Sequence, residues 1–477
     1  SGTDMRLVLG TLVLLSWVAI LVACSSAPTY RRPGIEIPAS FKEEPGWREA
    51  TPSDAVARGE WWQLFGDAGL AELQQQVVVG NQNLAVSKAA YDQARALVRE
   101  LRASLLPVVS LSASGTKVGS FGQGAPTVGN IGSVNAGGGN QRYSVTIGAT
   151  WEPDLWGRIG DSVREAGALA EASAADLANA TLSAQGELAL DYIQLRGLQA
   201  QGQVLSATVV AYERALTITT NRYNSGVAAR SDVLQAETAL HNARASNADL
   251  VRQRALLEHA IAVLVGANPS SFSVPNGEWN RDVPDIPGVL PGALLERRPD
   301  IAGAERRVAA ANSAIGIQRS AYFPTFDLSG DAGYNSSSWS ALFESASSVW
   351  SFGLTGALTL LDFGARSARV DQARAAYEQT VAEYRQAVLT AFQQTEDQLA
   401  AVRVLAIVST ERDAAAIAAN RAEEIANNQY IAGQIAYSDV IVAQTTALSA
   451  RQAQIQAVVD RQSAAISLIQ AIGGHWR

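Results

Sequence analysis

One cysteine, one methionine and three histidines are all that 477 residues contain of those types. A lone cysteine, Cys24, excludes any disulfide within the chain. His241 and His259 stand eighteen residues apart in one predicted helix, and His475 is near the end. No zinc spacing, Walker loop or G-x-S-x-G elbow accompanies them. Neither an enzyme nor a metal site is expected, and no cofactor beyond a covalent lipid on Cys24. Charge is also scarce: 17% of residues are charged, and the net charge of −8 argues against a nucleic-acid partner. Beyond the first two dozen residues no apolar run reaches 18 residues, so no transmembrane helix is expected. Any crossing of a membrane must then use β-strands.

Hydrophobic residues make up 47% of the chain, with alanine abundant, which suits long helices packed closely. Near the start, Met5 and Arg6 precede an uncharged apolar stretch, Leu7 to Val22, which reads as a signal peptide. Leu21-Val22-Ala23-Cys24 matches a bacterial lipobox. Cleavage after residue 23 would leave Cys24 as the lipidated first residue. The alternative is an ordinary signal peptide with an incidental cysteine. Ser25 and Ser26 follow with no aspartate to signal inner-membrane retention, so the expected destination is the outer membrane.

The chain repeats itself. YNSGVAARSDV, Tyr223 to Val233, returns 207 residues later as YIAGQIAYSDV, Tyr430 to Val440. Trp156-Gly157 matches Phe363-Gly364, and Gly266 matches Gly473, at the same offset. Upstream, SLLP at Ser104 matches AYFP at Ala321 at an offset of 217. A duplicated unit of about 200 residues is therefore predicted. Its parts are a signal peptide over 1–23, an N-terminal segment over 24–69 and a first repeat over 70–266. A linker over 267–298, a second repeat over 299–473 and a tail over 474–477 follow.

Each repeat predicts the same order. A helix, Leu70 to Leu106 or Pro299 to Phe323, is closed by a proline. Two segments of strict alternation come next. Val109, Leu111 and Ala113 pair with Tyr143, Val145, Ile147, Ala149 and Trp151. Phe326 and Leu328 pair with Trp350, Phe352, Leu354, Leu358 and Leu360. Residues between them are mostly Ser, Thr and Gly. Strict period two with a small polar face is the pattern of a transmembrane barrel strand; a soluble β-sandwich alternates too. Tyr143, Trp151, Tyr334 and Trp350 sit near strand ends, where an aromatic girdle would lie. Four strands cannot close a barrel, so symmetric association must supply the rest. Three copies give twelve.

Long helical hairpins follow: Gly160–Asn224 with Ser231–Leu264, and Ala365–Gln429 with Ser438–Ile472. The two eleven-residue motifs are the turns at their tips. Gly226 and Gly433 fit a C′ position with φ > 0. Ser231 and Ser438 are predicted N-caps, with Asp232 and Asp439 at the helix N-termini.

At this point the chain resembles outer-membrane factors of the TolC family, and among them the NodT-type lipoproteins of tripartite RND efflux pumps. The matching segments are the lipobox, WWQLFGDAGLAEL (Trp61 to Leu73), WEPDLWGR (Trp151 to Arg158) and YNSGVAARSDVLQAET (Tyr223 to Thr238). LLERRPDIAGAERRVAAANSAIG (Leu294 to Gly316), AYFPTFDLSG (Ala321 to Gly330), LLDFGAR (Leu360 to Arg366) and the C-terminal AIGG complete them. The resemblance implies a homotrimer with a twelve-stranded barrel in the outer membrane and a twelve-helix periplasmic tunnel. It implies an equatorial girdle from the linker, and a passive exit duct fed by a periplasmic adaptor and an inner-membrane RND transporter. It places a periplasmic gate at the second tip. There Asp439 and Tyr430 match family positions, whereas Val442 stands for a second aspartate and Ile435 for an arginine latch. A single ring of three carboxylates, weaker cation binding and a gate held mainly by packing are then expected. The first tip, with Gly226, Arg230, Ser231 and Asp232, is the expected adaptor contact beside Gly433 of the second; for Arg230 a solvated surface role stands equally. Type I secretion, metal-ion efflux and a non-pore structural lipoprotein are the alternatives.

Overall fold

The computed structural model describes residues 26–38, 40–43, 59–118, 140–284, 286 and 297–474. The predicted signal peptide, Cys24, the glycine-rich loop of residues 119–139, part of the linker and His475 lie outside them. After a 3-10 turn, Trp61–Phe65, come α1 (Ala68–Gly80), α2 (Gln82–Ala103), β1 (Val108–Val118) and β2 (Asn140–Trp151). Helices α3 (Arg158–Asn224) and α4 (Arg230–Leu264) form the first hairpin. The second repeat gives α5 (Pro299–Ser320), β3 (Thr325–Ser336), β4 (Ser348–Ala357), α6 (Ala365–Ile431) and α7 (Tyr437–Ala471). Helices α3 and α6 have 67 residues each, and α4 and α7 have 35 each. At 1.5 Å per residue the longer pair runs about 100 Å.

Three local expectations are corrected. The first predicted helix is two helices, α1 and α2, because Asn81 is extended and its side-chain oxygen accepts from the N–H groups of Asn83 and Leu84. That is an N-cap, which starts a new helix rather than continuing the old one. Ser231 and Ser438 are not N-caps: Ala229 and Ala436 hold those positions in extended conformation, with no side-chain cap, and each serine falls inside the first turn. The last strand ends at Ala357, so Leu358 and Leu360 lie past it. There the chain turns into α6, and Asp362 accepts from the backbone of Gly364 and Arg366 and from the Arg366 guanidinium.

Two compact units make up the chain. The first comprises the described residues up to Pro33, Asp92–Glu171 and Glu305–Ala382. It holds one antiparallel sheet in the order β1-β2-β3-β4. Register sets its faces. Leu111 lies opposite Ile147, Ile147 opposite Ala332 and Ala332 opposite Trp350, so one face is apolar across all four strands. Ser112, Thr146, Gly333 and Val349 follow each other in the next row, on a face otherwise rich in Ser, Thr and Asp. The N-terminal segment crosses the same unit as a strap. Ser26 Oγ donates to the Trp156 carbonyl at 3.0 Å, Asn312 Nδ2 donates to the Pro28 carbonyl at 2.8 Å, and the Tyr30 hydroxyl donates to Glu305. Burial, with the Glu305 bond second, raises the Tyr30 phenol pKa.

The second unit comprises Gly34–Tyr91, Ala172–Ala304 and the chain from Glu383. Its main core gathers Trp61, Trp62, Phe65, Leu70 and Val77 against Leu188, Tyr192, Leu195, Ile261, Val459 and Ile466. A polar thread runs through this core. Tyr192 donates to Asp67 Oδ1 at 2.7 Å; Arg196 donates to the Tyr192 oxygen and, at 3.0 Å, to the Pro275 carbonyl. Within each hairpin one arginine ties the return helix to the outgoing one. Arg244 reaches Glu213 at 2.6 Å, and its repeat counterpart Arg451 reaches Asn420 at 2.7 Å as well as Glu423.

Helices α1 and α4 end against each other, backbone to backbone. A Cβ built on Gly80 would sit 2.1 Å from the Val265 carbonyl oxygen, and one on Gly266 would sit 2.1 Å from the Gly80 carbonyl oxygen. Neither neighbour can move without shifting a helix end. Gly80→Ala is expected to destabilise the protein by about 1–3 kcal/mol through overpacking, despite alanine's better helix propensity. A denaturation midpoint in detergent equal to or above that of the unaltered protein would refute this.

Candidate functional site

Two regions carry the features singled out by the sequence. The first is the apolar sheet face. Its residues stay exposed in the single chain: Leu111 at 74%, Trp350 at 81% and Phe352 at 70%. A contiguous exposed apolar surface of this kind marks contact with lipid or a partner. Strands of 10 to 12 residues match the length a tilted strand needs to cross a bilayer. Among the described residues no helix is long and apolar enough to do so.

Aromatic side chains gather at both ends of the strands. At the loop end, Tyr143 meets Trp339 and Tyr334 meets Phe343, each pair edge to face at 5.6 Å between ring centroids. Trp350, opposite Ala332, lies two residues along β4 from the partner of Tyr334. At the other end Trp151 donates its indole N–H to the Leu105 carbonyl at 3.0 Å. Trp156 stacks on Phe323 at 4.7 Å and donates to the Pro324 carbonyl at 2.7 Å. Trp339, Phe343, Trp156 and Phe323 were not singled out as girdle residues from sequence, since they fall outside the alternating segments that gave that signal.

The second region is the pair of hairpin tips. Gly226 and Gly433 adopt φ of 78° and 74°. Each closes a six-to-one backbone bond, from Val227 to the Arg222 carbonyl and from Gln434 to the Gln429 carbonyl, as in a Schellman motif. Asp232 and Asp439 fall in the first turns of α4 and α7, where the helix dipole favours negative charge. Asp232 is half-buried and accepts from the Ser231 hydroxyl at 3.3 Å; Asp439 is exposed. Val442, one turn along α7 from Asp439, is also exposed.

Around the turns the two tips differ. At the first, Arg230 lies over the ring of Tyr223 at 5.7 Å, and both are exposed. At the second, Tyr430 and Tyr437 are buried with ring centroids 5.1 Å apart, packed with Ala236 and Val440 and flanked by Leu216, Ile435 and Ile441. Arg222, from the first hairpin, joins the tips. Its guanidinium covers the Tyr430 ring at 4.6 Å and Nη1 donates to the Tyr430 carbonyl at 3.3 Å. Arg222 Nε and the Tyr430 hydroxyl are buried without partners among the described residues. Burial pushes the Tyr437 phenol up to about 12. Arg222 was missed in the sequence. The signal was there: its repeat counterpart is Gln429, a divergence at the residue before the shared tyrosine. Among the described residues no cluster of His, Cys, Asp and Glu could hold a metal ion.

Comparison with known proteins finds relatives over nearly the whole chain. The family model for outer membrane efflux protein matches residues 73–267 and 290–474, one segment in each repeat. The antibiotic efflux pump outer membrane protein ArpC of Pseudomonas putida is 30% identical over 462 residues, covering 96% of this chain and 94% of its own. The toluene efflux pump outer membrane protein TtgC of the same species matches to the same extent. Among solved structures, the outer-membrane channel OprN superposes with a TM-score of 0.83 at 30% identity, over 94% of this chain and 99% of that one. The chain belongs to the outer membrane efflux protein family, a family of transport channels in the outer membrane.

Proposed function

We propose that three copies of this chain form a passive exit duct through the outer membrane, drained into by a periplasmic adaptor and an inner-membrane RND transporter. The observation that carries the reading is the four-stranded sheet. It has an apolar face left exposed, a polar face behind it, and outer edges on β1 and β4 that pair with no other strand among the described residues. Three such sheets edge to edge make twelve strands, with the apolar faces to lipid and the polar faces to a lumen. The long hairpins of the three copies then wall a twelve-helix periplasmic tunnel, with the equatorial girdle around it. Tyr143, Tyr334 and Trp350 serve one aromatic belt and Trp151 the other. Small apolar toxicants and antibiotics are the proposed cargo, by analogy with the relatives' names. Planar-bilayer recording of the purified protein tests the reading, together with native mass measurement. Silent bilayers from a protein of trimeric mass would reject it.

Cys24 is the proposed lipid anchor, its acyl chains adding about 0.8 kcal/mol for each buried CH₂. Mass spectrometry of the mature protein is expected to show an acylated N-terminus at Cys24, and Cys24→Ala to abolish it. An unmodified mature chain beginning elsewhere would end this assignment.

The tips are the proposed gate and adaptor contact. Tyr430, Tyr437 and Arg222 hold the second tip to the first, while Asp439 provides one ring of carboxylates at the constriction. The first tip, with Gly226, Arg230, Ser231 and Asp232, offers its exposed turn to the adaptor beside Gly433. A cation–π contact and one hydrogen bond together are worth about 1–3 kcal/mol. Arg222→Gln should therefore raise the open fraction by roughly tenfold, read as single-channel conductance and antibiotic leakage. Wild-type conductance in that variant would remove Arg222 from the gate.

Asp439→Ala is expected to raise conductance less than Arg222→Gln, since Asp439 is exposed and its side chain makes no hydrogen bond to the tyrosine pair among the described residues, and to weaken block by divalent cations. Unchanged conductance and unchanged cation block would show that the carboxylate plays no part.

A further inference from the structure

Where the sheet gives way to α3, a cavity of about 380 Å³ opens in the first unit. That volume lies in the range of sites that enclose drug-sized ligands. Register places three of its residues, Val108, Thr150 and Asp327, on the polar side of the sheet, since Val108 faces Thr150, Thr150 faces Ser329 and Asp327 faces Thr355. Leu101 and Leu106, from α2 and the turn after it, supply aliphatic wall. Leu106 and Val108 remain 66% and 63% exposed, so a ligand seated there would take apolar surface out of water. Trp151 also lines the cavity, its indole fixed by its bond to the Leu105 carbonyl, while register sets it opposite Leu328 on the apolar face.

The charges in the cavity are unequal in their commitments. Arg158 donates to Glu152 twice, through Nη2 at 2.6 Å and Nε at 3.3 Å. These two charges neutralise each other in a bidentate pair. Asp327 has no hydrogen bond or ion pair among the described residues. The cavity therefore combines apolar and aromatic walls with one unmatched negative charge. Asp327 is exposed to water. An anion would meet that charge with no uncommitted cation among the described lining residues, and a neutral solute would gain nothing from it. A cation with a hydrophobic body satisfies charge and wall together.

We propose that this cavity is a binding site for hydrophobic monocations on their way out through the duct. The proposal rests on the reading that the polar sheet face lines the lumen. Its test uses the full-length protein in planar bilayers with tetraphenylphosphonium added to each side in turn, and tetraphenylborate as a probe of the same shape and opposite charge. Tetraphenylphosphonium should reduce the wild-type current, tetraphenylborate should not, and Asp327→Asn should raise the half-blocking concentration about tenfold. Equal block of wild type and variant, or no block of a conducting channel, overturns the proposal; the latter is also the result if a second copy fills the cavity. A wild-type protein that carries no current at all would count against the duct itself. The cavity is then decided by calorimetric titration of tetraphenylphosphonium into the detergent-solubilised protein. Binding weakened about tenfold by Asp327→Asn supports the site, and binding that is absent or indifferent to that change rejects it.

Discussion

A sheet in lipid has to satisfy every backbone N–H and C=O it presents, because hydrocarbon offers no partner. The sheet here satisfies its inner ladders, β1 with β2, β2 with β3 and β3 with β4, and leaves the outer edges of β1 and β4 without a strand partner among the described residues. Its apolar face is left exposed by the described residues. Edges of this kind are tolerated only when another strand takes them up. On the proposed reading, the stability of the sheet belongs to a trimer in a bilayer rather than to a single chain in water. The long helices are free of this constraint, since their backbone bonds are internal. They can pack on alanine-rich surfaces with local ties such as Arg244–Glu213 and Arg451–Glu423.

Duplication explains the architecture, and divergence between the copies explains its asymmetry. Both tips keep the tyrosine, the serine–aspartate pair and the positive-φ glycine at which the turn is closed. Around that shared turn the residues have parted. Arg222 stands against Gln429, and Arg230 against Tyr437. The outcome is one tip whose Tyr223 is open to solvent beneath an exposed arginine. The other tip has its tyrosine pair buried, with an arginine of the first hairpin laid over it.

Much of the fold was legible because its periods are strong. Alternation over Tyr143–Trp151 and the proline-free stretches of the hairpins set strand and helix limits to within a few residues. What failed was local chemistry decided by a neighbour. Asn81 broke a helix by capping it and by donating to the Leu264 carbonyl, 183 residues away. Ser231 and Ser438 looked like caps, yet each helix begins one residue earlier, with alanine at the cap position. The pairing of β2 with β3 joins the two repeats, and pattern within either repeat could not reveal it. At the tips the turn was readable and the clamp was not. A surface arginine in sequence becomes a stacked one only when the second hairpin is beside it. Cys24, in turn, lies outside the described residues, so its role remains a proposal from sequence.

The equal lengths of the paired helices have a consequence for how such a chain can change over generations. One residue inserted into α3 but not α6 would advance its tip by about 1.5 Å and turn it by about 100°. Arg222 would then swing away from Tyr430. Substitutions anywhere along these helices are graded in their effect, but single insertions and deletions are not. Length variation in this lineage should be confined to the connections, or appear in both repeats at matching places, as if the two halves of the chain shared one ruler.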